Sequence, residues 1–187
     1  MTKLLEIERK RRFTGAMDEF VARLESRGFC LKSEVREVDS YYSRPDVDFM
    51  QTIECLRIRE RDGFAEITYK PSTTAATHTT SNIVVKPETN LPIQPSDVPA
   101  AKQLLASLGM VQLVVVDKYR RTFRADSDSR VTIAVDEIKD TGVFVETEII
   151  SQDKESALRE LDAIEKQLGI NTFAVETRPY RDICMKR

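Results

Sequence analysis

The chain begins with a period of two. In LLEIERKRRF (residues 4–13), Leu5 and Ile7 fall on one pleat face and Glu6, Glu8 and Lys10 on the other, the alternation of a strand. The period then lengthens. GAMDEFVARLESRGF (15–29) spaces Met17, Phe20, Val21, Leu24 and Phe29 as on a helix, with Gly28 as its stop. LKSEVREVDSYYS (31–43) returns to alternation, and ECLRIRERDGFAEITYKP (54–71) reads as a hairpin turning at Arg61-Asp62-Gly63. After the Thr-rich loop STTAATHTTSN (72–82) comes a short strand around NIVVKPET, confined by Pro87 to an edge or an irregular stretch. Pro95-Ser96-Asp97 introduces a helix over 96–109. Strands follow over 112–125, 130–138 and 142–150. DKESALRELDAIEKQLGI (153–170) is an amphipathic helix with Leu158, Leu161, Ile164 and Leu168 on one stripe, and the tail RPYRDICMKR follows.

Strand after strand, one pleat face gathers charge. Arg57 and Arg59 alternate with Leu56 and Ile58; Glu66, Thr68 and Lys70 with Ile67 and Tyr69; Lys118, Arg120, Thr122 and Arg124 with Tyr119 and Phe123. Arg130, Thr132 and Asp136 do so on the next strand, and Glu146 and Glu148 on the last. Each strand taken alone fits a sheet with one wet face. About eight strands and three helices together fit either an open sheet with a broad charged face or a closed barrel whose charged face becomes a lumen. Parity does not choose between them. Charge type adds something: cations come in pairs on the middle strands, and carboxylates gather on the first strand, the last strand and Asp136, which suits a polyphosphate with a metal at one end.

Composition narrows the class. A chain of 187 residues is the size of one domain with a substantial core. With 32% charged residues and a net charge of −2, it lacks the basic surplus of a nucleic-acid binder. Cys30, Cys55 and Cys184 are scattered without C-x-x-C spacing and read as free thiols of a reducing compartment. Neither a signal peptide nor a membrane span is apparent, so the expected location is the cytoplasm, with no membrane partner.

The charge pattern specifies a chemistry. A buried triphosphate demands several Arg and Lys donors, Arg giving bidentate contacts. Mg²⁺ or Mn²⁺ takes oxygen ligands from carboxylates, phosphates and water, which Glu6, Glu8, Glu146 and Glu148 could provide. Competing chemistries lack their parts. The single histidine, His78, sits in the Thr-rich loop, and neither a P-loop nor a G-x-G-x-x-G is present.

Six ordered blocks then carry a resemblance. EIERK looks like the E-x-E-x-K signature of the CYTH family, the triphosphate tunnel metalloenzymes named for class IV adenylate cyclases and thiamine triphosphatase. VDSYYSRPDVDFMQTIECLRIRE is similar to the family's D-x-Y-[YF] and L-R-x-R strands, ITYK to its hydrophobic-x-x-K strand and DKYRR to its K-x-R strand. VDEIKDTGVFVETEI resembles D-E-[VI]-x-x-x-G-x-F-x-E-x-E, and RPYRDI the closing R-S-Y segment, with Pro179 in place of Ser.

The resemblance implies a single α+β domain over 1–187, a closed eight-stranded antiparallel barrel with helices packed outside. It implies that Glu6, Glu8, Glu146 and Glu148 bind Mg²⁺ or Mn²⁺, with Asp136 and Glu88 near the metal. It makes Lys10, Arg57, Arg59, Lys70, Lys118 and Arg120 the phosphate-binding and catalytic cations, with Lys86, Arg178 and Tyr180 as further substrate contacts. The implied ligand is a small molecule bearing a triphosphate: ATP, thiamine triphosphate or tripolyphosphate. The implied reaction is that of a class IV adenylate cyclase, with a triphosphatase as the alternative within the family and a non-catalytic polyphosphate-binding module as the alternative outside it. The expected assembly is a monomer or homodimer.

Overall fold

The computed structural model describes residues 5–49, 51–72 and 89–186, with side chains from Ile7 onward. The element order is β1 (Leu5–Phe13), α1 (Met17–Ser26), β2 (Phe29–Ser43), β3 (Cys55–Arg61), β4 (Phe64–Lys70), β5 (Thr89–Ile93), α2 (Val98–Ser107), β6 (Val111–Ala125), β7 (Asp128–Ile138), β8 (Gly142–Ser151), α3 (Lys154–Leu168) and α4 (Tyr180–Cys184). The eight strands form one antiparallel sheet in the order β1-β8-β7-β6-β2-β3-β4-β5. The chain divides into two compact units, one of residues 1–35 and 118–177, the other of 36–117 and 178–187. No helix among the described residues is long and apolar enough to cross a membrane.

The expected barrel is not closed. Among the described residues β1 and β5 end the sheet and share no ladder. The outer edge of β1 is taken by a later segment: the Arg12 amide donates to the Ala174 carbonyl (3.0 Å), the Glu176 amide donates to the Lys10 carbonyl (2.9 Å), and Arg11 bridges Val175. β5 is five residues long and contains Pro92, which has no amide to donate. The alternation that suggested a lumen is the same alternation an open sheet needs.

In the first unit, α3 packs against β8 and β1. Asp153 caps its start, accepting from the Ser156 amide at 3.1 Å, and Gly169 ends it at φ 68°, a conformation that strains any residue with a Cβ. Its buried stripe is Ala157, Leu161, Glu165 and Leu168, so an acid stands where the sequence pattern placed Ile164. Beneath it lie Ile7, Ile133, Val135, Val145 and Ile149, all nearly inaccessible, each worth roughly 1.5–3 kcal/mol of transfer free energy when buried. Phe20 of α1 stacks on Phe13 with ring centroids 5.0 Å apart.

In the second unit, Asp62 and Gly63 (φ 66°) turn the β3–β4 hairpin as expected. α2 lays Val98 and Leu105 on Tyr42, Ile58 and Ala65, with Leu56 and Ile67 alongside. The tail is not plain coil. Pro179 precedes the short α4, whose Arg181 donates to the Glu54 carbonyl at 2.7 Å, immediately before β3. The Thr-rich loop from 73 onward, His78 and most of the NIVVKPET strand lie outside the described residues.

Candidate functional site

Register fixes the first unit's charged face. β1 pairs with β8 so that Glu8 stands opposite Glu148 and Lys10 opposite Glu146. β8 pairs with β7, and β7 with β6 so that Asp136 stands opposite Arg120. Like charges directly opposed on a sheet repel, so Glu8 facing Glu148 requires a cation nearby. Glu146 comes close as well: carboxylate oxygens of Glu8, Glu146 and Glu148 all lie within 4.8 Å of one another. Glu8 is exposed, Glu148 half-buried and Glu146 buried, so the cluster is open to solvent on one side.

Two cations reach it, and a third pairs with Asp136. Arg120 places Nε and Nη2 on the two oxygens of Asp136 at 2.6 and 2.5 Å; Nη2 also contacts Glu146, and Nη1 lies 3.9 Å from Glu148. Lys118, only 2% exposed, has Nζ 3.8 Å from Asp136, which is fully buried. Lys10 has Nζ 3.6 Å from the other Glu146 oxygen. Burial works against the Arg120 charge, but Asp136 first and then Glu146 and Glu148 outweigh it and hold the guanidinium well above its ordinary range. Asp136 is thus the partner of two cations and stands apart from the converging trio. The donor set is three carboxylates with no sulfur or imidazole, which fits a hard divalent ion such as Mg²⁺ or Mn²⁺. The side chain of Glu6, and all of Lys86 and Glu88, lie outside the described residues.

The second unit carries its own ladder of charge. Arg59 forks onto Asp39 with both bonds at 2.7 Å and lies 3.4 Å from Glu37. Burial again opposes its charge, and Asp39 and Glu37 again raise its pKa above the ordinary value. Arg57 is held differently. One Nη donates to Thr68 at 3.2 Å, the other lies 3.9 Å from Asp39, and its buried Nε has no hydrogen-bond partner among the described residues. Thr68 in turn donates to Asn90 at 2.9 Å. Lys70, half-buried, stands opposite Cys55. Burial raises the Cys55 thiol, and burial together with Asp39 raises the Tyr41 phenol. Of the last pair, Arg178 is exposed and Tyr180 is buried at the start of α4.

Glu37, 2% exposed, was missing from the sequence reading, and Asp39, 1% exposed, stood in the D-x-Y-[YF] block without an assigned role. Their signal is the period of two that runs Glu37, Asp39, Tyr41 along β2. It gains meaning only once the ladder sets Asp39 opposite Arg59. Arg9 and Arg11 were missed too. They lie on the opposite face of β1 from Lys10 and converge on Glu165 of α3, Arg11 through Nε at 2.9 Å and Nη2 at 2.7 Å, Arg9 through Nη1 at 2.9 Å.

Comparison with known proteins identifies these strands. The CYTH domain family model matches residues 4–180. A protein of Methanocaldococcus jannaschii, MJ0240, provisionally named an adenylate cyclase, is 27% identical over 170 residues, spanning 89% of this chain and 91% of its own. The PH1819 protein of Pyrococcus horikoshii OT3 superposes with a TM-score of 0.73 at 27% identity, covering 97% of this chain and 99% of that one. HpAC1 from Hippeastrum, provisionally called an adenylyl cyclase and showing a dominant triphosphatase activity, superposes with a TM-score of 0.69 at 13% identity, covering 97% of this chain and 96% of that one.

Proposed function

The chain belongs to the CYTH family, and from that premise we propose that it is a divalent-metal-dependent enzyme acting on a small-molecule triphosphate, most like a class IV adenylate cyclase. One observation carries this reading: Glu8, Glu146 and Glu148 converge within 4.8 Å while Lys10 and Arg120 ion-pair with the same acids. A cluster of that composition serves an anionic ligand together with a hard metal better than it serves either alone.

In this reading Glu8, Glu146 and Glu148, with Glu6 from the same strand, hold Mg²⁺ or Mn²⁺. The ion would supply Lewis-acid polarisation of a phosphoryl oxygen. Lys10, Lys118 and Arg120 bind phosphate oxygens and stabilise the charge that grows there during transfer. Arg57, Arg59 and Lys70 serve the same purpose in the second unit. The unpartnered Arg57 Nε supports that role, because a buried N–H without an acceptor costs about 1–3 kcal/mol unless a ligand supplies one. Lys86, Arg178 and Tyr180 are assigned to the substrate, and Glu88 and Asp136 to the surroundings of the metal, by the motif match alone.

For the cyclase the 3′-hydroxyl of ATP attacks the α-phosphorus, forming the cyclic ester and releasing diphosphate. MJ0240, named for that activity and aligned along most of both chains, favours it. A second reading, hydrolysis of the terminal phosphate of ATP, thiamine triphosphate or tripolyphosphate, is favoured by the triphosphatase activity of HpAC1. Incubating the protein with each substrate and Mg²⁺ or Mn²⁺ decides. Cyclic AMP with diphosphate supports the cyclase, and orthophosphate supports the hydrolase. Saturable binding without turnover would leave a binding module and refute both.

A further inference from the structure

Three carboxylates within 4.8 Å of one another repel, and the structure places cations against them. Arg120 is the cation with the widest reach. Its fork is anchored on Asp136, which is fully buried. Its Nη2 extends from that anchor to Glu146, and its Nη1 approaches Glu148. The guanidinium thus has two sets of partners: one fixed, on β7, and one drawn from the acids that would hold the metal.

We infer, resting on the metal–triphosphate reading above, that Arg120 is a built-in counter-ion of the metal site. Glu146 and Glu148 would leave it to hold the metal, and the N–H groups so freed, still steadied by Asp136, would turn to a phosphate oxygen. Metal and triphosphate then favour each other's binding through this arginine, in addition to any direct contact between them. Linkage requires the effect to be reciprocal. The guanidinium never gives up its proton at accessible pH, so the exchange is one of partners and not of charge.

The consequence runs against the simple view that removing a phosphate-binding cation weakens everything. With Mn²⁺ alone, Arg120→Met should bind the ion more tightly than wild type, by about tenfold, a typical size for coupling between sites. Arg120→Lys, which keeps the positive charge, should not tighten it. With tripolyphosphate alone, Arg120→Met should bind more weakly. Glu146→Gln should bind tripolyphosphate more tightly by about tenfold in metal-free buffer because it loosens the arginine, and the gain should vanish when Arg120→Met is added. Both ligands are titrated calorimetrically, and circular dichroism checks each fold. Unchanged or weaker Mn²⁺ binding by a folded Arg120→Met, or an undiminished gain in the double variant, overturns the inference. If Arg120→Met does not fold, Glu146→Gln alone decides: no gain for tripolyphosphate overturns it. The parent reading fails separately, if wild type binds neither Mn²⁺ nor tripolyphosphate or if Glu146→Gln with Glu148→Gln leaves Mn²⁺ affinity intact.

Discussion

Replacing Glu165 by Gln should destabilise this protein more than any surface substitution, although the residue meets β1 on the face opposite Glu8 and Lys10. The Glu165 carboxylate is 0% exposed, and one of its oxygens takes three donors, two from Arg11 and one from Arg9. Arg11 is 8% exposed and also donates to the Phe173 carbonyl at 2.6 Å and the Asn171 carbonyl at 3.2 Å, so it cannot swing out to water cheaply. Arg9 has an alternative in the exposed Asp162 at 2.6 Å. The substitution therefore strands one buried guanidinium, and breaking a buried pair from one side costs about 3–5 kcal/mol. At about 2–4 °C per kcal/mol for a chain of this length, the melting temperature should fall by roughly 6–20 °C. Arg11→Met with Glu165→Met should recover most of that loss, because an apolar pair of similar volume avoids the desolvation of two charges. Thermal and urea unfolding of the three proteins measures both effects. If Glu165→Gln melts within about 2 °C of wild type, less than 1 kcal/mol, the ion pair contributes nothing and the reasoning is refuted.

Arg57 and Arg59 should separate cleanly. Arg59→Ala leaves Asp39 and Glu37 buried without their fork and should cost about 3 kcal/mol in urea midpoint stability. Arg57→Ala should cost less than about 1 kcal/mol while weakening tripolyphosphate binding, and equal losses of stability would contradict the different ways in which the two are held. The alkaline limb of stability should be steep. Burial raises Cys55 above 9.0 and, with Asp39, raises Tyr41 above 10.0. For groups whose pKa is raised on folding, the contribution is whole below the unfolded pKa and is lost as pH climbs towards the folded one. Melting temperature should therefore fall from about pH 9 upward, with part of the phenolate absorbance appearing only on unfolding; a flat profile to pH 11 would refute it. Gly169→Ala places a Cβ 2.3 Å from the Arg23 guanidinium at a backbone φ of 68°, so it should cost about 1 kcal/mol or more, read as a lowered melting temperature.

The periodicity of the sequence located strands and helices because burial on one face is a local property, repeating every two residues or every 3.6. Glu8, Lys10, Glu146 and Glu148 were legible for that reason, and the ladder brings those four together. What period could not show was pairing between distant charges. Glu165 lies four residues after Leu161 on α3, so a helical wheel places it at the margin of an apolar stripe; only the arrival of Arg9 and Arg11 from β1 makes burial affordable. The partner of Asp39 likewise appears only when β2 pairs with β3. Closure was misjudged because an open sheet and a barrel share one alternation, and the segment that occupies the β1 edge, Ala174–Glu176, has no strand-like period of its own. The helix at Tyr180–Cys184 is too short for periodicity to register.

The arrangement around β1 also says when in the life of the chain the site comes into being. Both flanks of the first strand are furnished by the far end of the polypeptide, β8 on one side and residues 174–176 on the other, and the Arg11–Glu165 contact spans 154 positions. During synthesis this strand emerges before either of the partners it has here and must wait for them. Such distant closures carry a high entropic cost before any contact repays it, so this step should be among the slowest in folding. Glu8 meets Glu146 and Glu148 only at that moment. A chain clipped before residue 174 would keep Glu8, Glu146 and Glu148 but would leave the outer edge of β1 uncovered and open to its neighbours.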